Sequence, residues 1–188
     1  MNKRPIILAS GSPRRQYLLK EAGFEFTVEK PDIDESFPAS LPVESVAKYL
    51  AERKAEVFRP RIQNEIVLTA DTVVILGNSI LNKPADKPEA VRMLQDLSGK
   101  THLVMTGVCI VSKEKEVAFD DTTEVTFKKL SLDEIHYYID HYKPYDKAGA
   151  YGAQDFIGMI AIEKIIGSYF NVMGLPIHRV YQQLTNWL

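Results

Sequence analysis

Short apolar runs alternate along the chain with stretches of helical periodicity. Continuous runs such as Ile6–Ala9 and Ile66–Ala70 are typical of buried strands. Between Val43 and Phe58 the apolar residues instead fall on one helical face, and Pro60 ends that stretch. This alternation predicts an α/β protein with helices packed against a sheet.

Capping and turn residues delimit the other elements. Ser12 is a suitable N-cap and Pro13 a suitable first helical residue, whereas Gly23 is typical of a helix end. Ser131 and Glu134 have the spacing of a capping box. The pattern predicts strands at 6–9, 24–28, 66–70, 73–76, 79–81, 102–111, 117–127 and 159–165, and helices at 13–22, 43–58, 88–97, 131–142 and 176–187, with an acidic loop at 30–42.

Length and composition fit one globular domain over residues 1–188, built as two lobes around a cleft. Hydrophobic residues make up 45% of the chain and charged residues 26%, a globular balance. The formal net charge of −2 lacks the basic excess of a duplex-binding domain, so nucleic-acid partners are not expected. A small anionic ligand needs only a local cluster of positive charge.

Cysteine content and hydropathy bear on the compartment. Cys109 is the single cysteine, which excludes an intrachain disulfide and a cysteine-rich zinc site. The apolar run at Ile6–Ala9 is shorter than the roughly 7–15 residues of a secretory h-region, and no run approaches the ~20 residues of a membrane helix. We therefore expect a soluble, cytoplasmic protein without a membrane partner.

The start of the first helix has candidate anion-binding residues. With Ser12 as the cap, Arg14 and Arg15 fall in the first turn, where the helix dipole disfavours positive charge by some tenths of a kcal/mol each. The free N–H groups of that turn, together with Gly11 and the hydroxyls of Ser10 and Ser12, could hold a phosphate that compensates the arginines. A solvated helix end whose arginines pair with surface carboxylates is the alternative, and these residues alone leave both open.

Asp71 lies between two strand-like apolar runs. A carboxylate in such a place is rarely buried unless it is paired or bound to a metal. It could act as a general base or as a ligand of a hard metal ion. The alternative is an aspartate that caps a turn between two strands.

Further charged residues could belong to the same site. The acidic loop contains Asp32, Asp34 and Glu35, which are either solvated or able to hold Mg²⁺ beside a phosphate. Lys83 precedes a rigid Pro-containing turn, and Lys54 lies near the polar boundary of an apolar helix face. Either lysine could point inward to a ligand, or extend its ammonium group to water.

The motifs of several other chemistries are incomplete or absent in this sequence. The segment Ser98–Thr101 resembles the end of a Walker A loop, but Leu94 stands where that motif requires glycine and a strand follows. The four histidines lack zinc-ligand spacing, and no G-x-S-x-G elbow supports a serine hydrolase. Chemistry on phosphate remains.

Together these segments resemble the Maf family of nucleotide pyrophosphatases over nearly the whole chain. Position 11, which is glycine here, is often serine in that family. The matching segments are residues 7–15 (ILASGSPRR), 34–35 (DE), 70–74 (ADTVV), 82–84 (NKP), 97–102 (LSGKTH), 106–108 (TGV) and 147–152 (KAGAYG).

The resemblance implies a two-lobed α/β fold related to inosine-triphosphate pyrophosphatases, with a long twisted mixed sheet flanked by helices and a central cleft. It implies hydrolysis of a nucleoside triphosphate to the monophosphate and pyrophosphate with a divalent cation, Mg²⁺ or Mn²⁺. A homodimer is compatible with it, because the family often forms dimers, although no interface is legible in the sequence.

The resemblance also assigns roles to residues. Asp71 matches the proton acceptor for the attacking water and Glu35 a metal-associated carboxylate, so these two residues would hold the metal; Asp86 is a less certain member of the site. The positions that match phosphate-binding residues are Ser10, Arg14, Arg15, Lys54 and Lys83.

Three positions bear on the substrate. Arg14, Thr72 and Gln154 match members that resemble dTTP/UTP pyrophosphatases, and a glutamine amide suits the imide edge of uracil or thymine. The expected function is therefore hydrolysis of dTTP and UTP, with modified pyrimidine triphosphates accepted in a house-cleaning role. A nucleotide-binding regulator of cell division with little catalysis and a purine-directed pyrophosphatase are the alternatives.

Overall fold

A computed structural model of the chain describes residues 4–187. In that part of the chain there are seven strands, seven α-helices and three short 3₁₀ helices. The strands are β1 Ile6–Leu8, β2 Thr27–Val28, β3 Ile66–Leu76, β4 Ser79–Leu81, β5 Thr101–Val111, β6 Glu116–Phe127 and β7 Ile162–Ile166. The α-helices are α1 Pro13–Glu21, α2 Val46–Glu56, α3 Lys87–Leu97, α4 Leu132–Tyr142, α5 Phe156–Ala161, α6 Tyr169–Val172 and α7 Ile177–Thr185. Among the described residues, no helix has the length and hydropathy of a membrane span.

The strands form one mixed sheet in the order β2-β1-β3-β5-β6-β7, with β4 paired to β3. Strand β1 is parallel to both β2 and β3, whereas β4 is antiparallel to β3 and β7 is antiparallel to β6. The predicted α/β class with a mixed sheet is confirmed.

Strand β3 passes through Asp71 without interruption. The sequence predicted two runs on either side of Asp71 and Thr72, but the structure has one strand of 11 residues. Five buried residues precede this pair and three follow it, while Asp71 and Thr72 themselves are only partly buried. The alternative of a turn-capping aspartate is therefore wrong, and Asp71 is a carboxylate within a strand.

Other differences concern the second half of the chain. The strand predicted at 159–165 is divided between helix α5 and strand β7, because the short apolar run Met159–Ile162 does not by itself distinguish a helix from a strand. The strand predicted at 24–28 is reduced to β2, and α6 was not predicted. The capping box of α4 is present with both of its hydrogen bonds, as predicted.

The chain divides into two compact units, as the two-lobed prediction requires. The first comprises residues 4–72, 106–121 and 174–187, and the second comprises 73–105 and 122–173. The single domain predicted over residues 1–188 stays a prediction, because this division does not decide whether the units fold separately. In the first unit one core cluster comprises Ala9, Ala51, Ala55, Phe58, Ile62, Val67, Cys109 and Val111.

The second unit buries a histidine in its core. His102 is 2% exposed, its Nε2 lies 2.7 Å from the Tyr151 hydroxyl, and its ring packs edge-on against Phe127. Burial lowers the pKa of His102 from 6.5 to about 4. The folded protein therefore keeps this imidazole neutral at pH values where the unfolded chain protonates it.

This difference predicts a loss of stability in mild acid. Between pH 6.5 and about 4 the unfolded chain binds more protons at His102 than the folded protein does, so the free energy of unfolding falls as the pH decreases. At 1.36 kcal/mol per pKa unit the loss at the lower limit is about 3 kcal/mol. Urea unfolding of the wild type and of His102→Gln between pH 7 and pH 4 measures it. An equally steep pH dependence in both proteins would contradict the prediction.

Candidate active site

The loop between β1 and α1 is organised by Ser10. This side chain is 6% exposed, and its Oγ accepts hydrogen bonds from the Ser12 amide at 3.3 Å and from Arg15 Nη1 at 3.2 Å. Ser12 is the N-cap residue of α1, as predicted, but its side chain makes no capping hydrogen bond. The first turn contains no acidic residue, and Arg14 lies there half-buried.

Arg15 directs its guanidinium group to protein acceptors. Nε donates to the Gly174 carbonyl at 2.8 Å, Nη1 donates to the Ala70 carbonyl at 2.8 Å, and Nη2 donates to Thr72 Oγ1 at 3.0 Å. Burial lowers the pKa of the Arg15 guanidinium, and the negative charge of Asp71 opposes this shift. Arg15 therefore connects helix α1 to strand β3 and to Gly174.

Thr72 belongs to the same hydrogen-bond group. Its Oγ1 lies 2.9 Å from Thr106 Oγ1 on β5, in addition to accepting from Arg15. The sequence did not identify Thr106 or the carbonyl of Gly174 as parts of this site. The Thr106 position lay within the matching segment 106–108, whereas Gly174 contributes a backbone carbonyl far along the chain and gave no signal.

Helix α2 directs Lys54 inward. The residue is 6% exposed, its Nζ lies 2.5 Å from Asp71 Oδ1, and Glu35 Oε1 is 2.9 Å away. A buried ammonium group needs such partners, because the cost of removing it from water is otherwise uncompensated. The alternative in which Lys54 extends its charge to solvent is wrong.

The acidic loop separates into residues with different partners. Asp34 is exposed, and its carboxylate accepts from the amide and the hydroxyl of Ser36 at 3.0 and 2.7 Å. These hydrogen bonds lower the pKa of the Asp34 carboxyl. Glu35 instead reaches Lys54, and Asp32 is exposed to solvent. Of the three acidic residues, Glu35 is thus the one for which the structure shows contact with the Lys54 and Asp71 pair.

The carboxylates of Glu35 and Asp71 both contact the ammonium group of Lys54. Within residues 4–187 no group of three or more His, Cys, Asp or Glu side chains could hold a metal ion by itself. Mg²⁺ commonly takes one or two carboxylates and completes its coordination with substrate phosphates and water. Glu35 and Asp71 supply oxygen ligands of that kind and number, so the donor set fits a divalent cation bound together with a phosphate.

The second unit contains the other predicted site residues. Lys83 is exposed just after β4, and Asp86 Oδ1 caps α3 by accepting from the Glu89 amide at 2.8 Å. Gln154 is exposed in a turn closed by a hydrogen bond from the Asp155 amide to the carbonyl of Gly152. A role in substrate binding for Lys83 and Gln154 stays a prediction, whereas Asp86 has a clear structural role as a helix cap.

The turn with Gln154 is fixed by side chains of its own unit. The Tyr138 hydroxyl donates to Asp155 Oδ2 at 3.0 Å and accepts from the Gly152 amide at 3.1 Å. Lys147 Nζ lies 3.8 Å from the same carboxylate oxygen. These contacts hold both ends of the turn in place.

Comparison with known proteins relates the chain to one family. The family model described as Maf-like protein matches residues 5–187. A protein of Porphyromonas gingivalis is 48% identical over 191 residues, covering 100% of this chain and 96% of the relative. A protein of Flavobacterium psychrophilum is 50% identical over 182 residues, covering 96% and 93%. Both relatives are named dTTP/UTP pyrophosphatase. The solved Ham1 protein of Staphylococcus aureus overlaps 66% of this chain and 72% of its own, with a TM-score of 0.45 and 13% identity.

Proposed function

The chain belongs to the family of Maf-like proteins, and we propose that it hydrolyses dTTP and UTP to the monophosphate and pyrophosphate. The observation that carries this proposal is the contact of Lys54 with Asp71 and Glu35 in the same unit as the loop at Ser10. The first unit thus combines a carboxylate that could activate water with positive side chains and N–H groups that could bind phosphate. The names of the two relatives support the substrate assignment.

In the proposed reaction Asp71 accepts the proton of the attacking water. Lys54 Nζ holds Asp71 Oδ1 at 2.5 Å, so we assign the proton to Oδ2. The water attacks the α-phosphorus, the bond from that phosphorus to the bridging oxygen breaks, and pyrophosphate leaves. Lys54 and Arg14, with the N–H groups of the first turn of α1, would stabilise the negative charge that develops on the phosphate oxygens.

Glu35 and Asp71 are the residues that would hold the divalent cation, Mg²⁺ or Mn²⁺. Together with the ammonium of Lys54 these two carboxylates retain one negative charge, which suits a cation. When bound, the cation would neutralise part of the triphosphate charge and polarise its phosphorus–oxygen bonds.

Base selection is proposed for Gln154, with Arg14 and Thr72. A primary amide presents a donor and an acceptor together, as the imide edge of uracil or thymine requires. Accepting both dTTP and UTP means little discrimination at the 2′-position and at the base methyl, so modified pyrimidine triphosphates would also enter. Hydrolysis of modified pyrimidine triphosphates is the activity that a house-cleaning role requires. The predicted cytoplasmic location and homodimer stay predictions.

A panel of nucleoside triphosphates tests the proposal. We expect pyrophosphate release with the highest kcat/KM for dTTP and UTP, dependent on Mg²⁺ or Mn²⁺, and lower values for ITP, GTP and 7-methyl-GTP. Pyrophosphate and orthophosphate are measured separately, with no pyrophosphatase added.

Each alternative has a distinct result in this panel. Tight nucleotide binding without turnover would favour a regulator of cell division. Faster hydrolysis of ITP or a guanine nucleotide would favour a purine-directed pyrophosphatase. Release of orthophosphate as the first product would mean that a different bond is cleaved.

A further inference from the structure

The guanidinium of Arg15 is used almost completely by the protein. It makes four hydrogen bonds, to Gly174, Ala70, Ser10 and Thr72, while a guanidinium has five N–H donors in all. A side chain that binds phosphate in bidentate fashion needs two parallel donors directed at the ligand. In this structure four of the five donors already bond to protein oxygens, so no parallel pair is left for a phosphate.

Two of the four acceptors flank Asp71 in strand β3. The Ala70 carbonyl is on one side of this residue and the Thr72 hydroxyl on the other, at 2.8 and 3.0 Å from the guanidinium nitrogens. A third bond joins the same guanidinium to Ser10 in the proposed phosphate loop. Arg15 therefore links the backbone around Asp71 to that loop, whereas Lys54 holds the carboxylate itself.

The fourth acceptor depends on a glycine. Gly174 has φ of +114°, a region that side chains rarely adopt, and its carbonyl accepts from Nε at 2.8 Å. A Cβ added there would lie 3.5 Å from Thr72 Oγ1 and 3.8 Å from Arg15 Nε. Space would therefore permit an alanine, but the backbone conformation that orients the carbonyl would be strained.

We propose that Arg15 is a positioning residue that holds Asp71 and the Ser10 loop in their relative places, and is not a ligand of the triphosphate. This inference rests on the proposed function for its catalytic consequence. Small displacements of a reacting group cost large factors in rate, on the order of 100-fold for 1 Å. Arg15 thus acts on turnover through Asp71 and leaves substrate affinity to other cations.

Arg15→Lys separates the two roles, because lysine keeps the charge but cannot form the fork of four bonds. We expect kcat for dTTP to fall about 10- to 100-fold. The KM and the inhibition constant of inorganic pyrophosphate should change less than about 3-fold, since no phosphate contact is lost. The matched variant Arg14→Lys, on the same helical turn, should instead raise both constants.

Amide hydrogen exchange provides a readout independent of activity. In Arg15→Lys we expect faster exchange in peptides covering residues 8–12 and 69–74, with unchanged exchange in α3 as the internal control. Gly174→Ala serves as a second variant that leaves the arginine in place. It should lower kcat with the pyrophosphate inhibition constant unchanged, and near-ultraviolet circular dichroism verifies that both variants are folded.

A kcat near the wild-type value combined with weaker pyrophosphate inhibition in Arg15→Lys would overturn the proposal in favour of a phosphate ligand. Unchanged exchange at residues 69–74 would overturn it as well. If the wild type did not hydrolyse dTTP, the proposed function would fail, while the exchange measurement would still decide whether Arg15 holds the backbone around Asp71.

Discussion

Replacement of Asp71 by Asn lowers kcat for dTTP by about 10³-fold, the range expected when a general base is removed. The amide has almost the shape of the carboxylate and can still accept a hydrogen bond from Lys54. It cannot take a proton from water, and it is a weaker metal ligand. Nucleotide binding should be retained, because the Ser10 loop and Arg14 are unchanged.

The measurement compares steady-state pyrophosphate release with nucleotide affinity from calorimetry, at one concentration of Mg²⁺. Asp96→Asn is the matched control, since Asp96 is an exposed aspartate on α3 outside the proposed site. That variant should keep wild-type kinetics. An Asp71→Asn protein with more than about a tenth of the wild-type kcat would show that another group accepts the proton.

Replacement of Gly107 by Ala destabilises the protein by about 3 kcal/mol or more, at the upper end of the usual cost of overpacking a core. A Cβ at Gly107 would lie 2.3 Å from the carbonyl carbon and oxygen of Ala47 and 2.3 Å from the amide nitrogen of Lys48. These are backbone atoms of α2, so rotamer changes cannot relieve the contact. Helix α2 would have to move away from β5.

Urea unfolding monitored by circular dichroism measures this effect. Gly11→Ala is the control for the same chemical change, because its added Cβ would meet Lys30 Cδ at an ordinary 3.6 Å. The Gly107 variant should also lose activity, since Lys54 is on the displaced helix. Equal unfolding midpoints for the two variants would contradict the close approach of α2 to β5.

The Gly107 contact also explains a feature that the sequence showed only as a match to a family. Residues 106–108 were part of the resemblance, without a physical reason for a glycine inside a long strand. The reason is the approach of another backbone segment, which is distant in sequence and therefore invisible to periodicity.

Local patterns predicted most elements because the relevant interactions are local. Three of these features depend on residues within a few positions of one another. They are the capping box at Ser131, the start of the first helix at Pro13, and the hairpin that joins β3 to β4. The segment at 159–165 was assigned wrongly because its short apolar run does not distinguish a helix from a strand, and its strand part is defined by pairing with β6, which is distant in sequence.

For the site, the sequence by itself determined the candidate residues and, through the family resemblance, their chemistry. The tertiary structure decided which groups they contact. It placed Asp71 within a continuous strand, directed Lys54 to Asp71 and Glu35, and left Asp34 with Ser36. It also committed Arg15 to protein acceptors up to 159 positions away. These outcomes depend on distances between segments that only packing brings together, and a linear pattern contains no information about those distances.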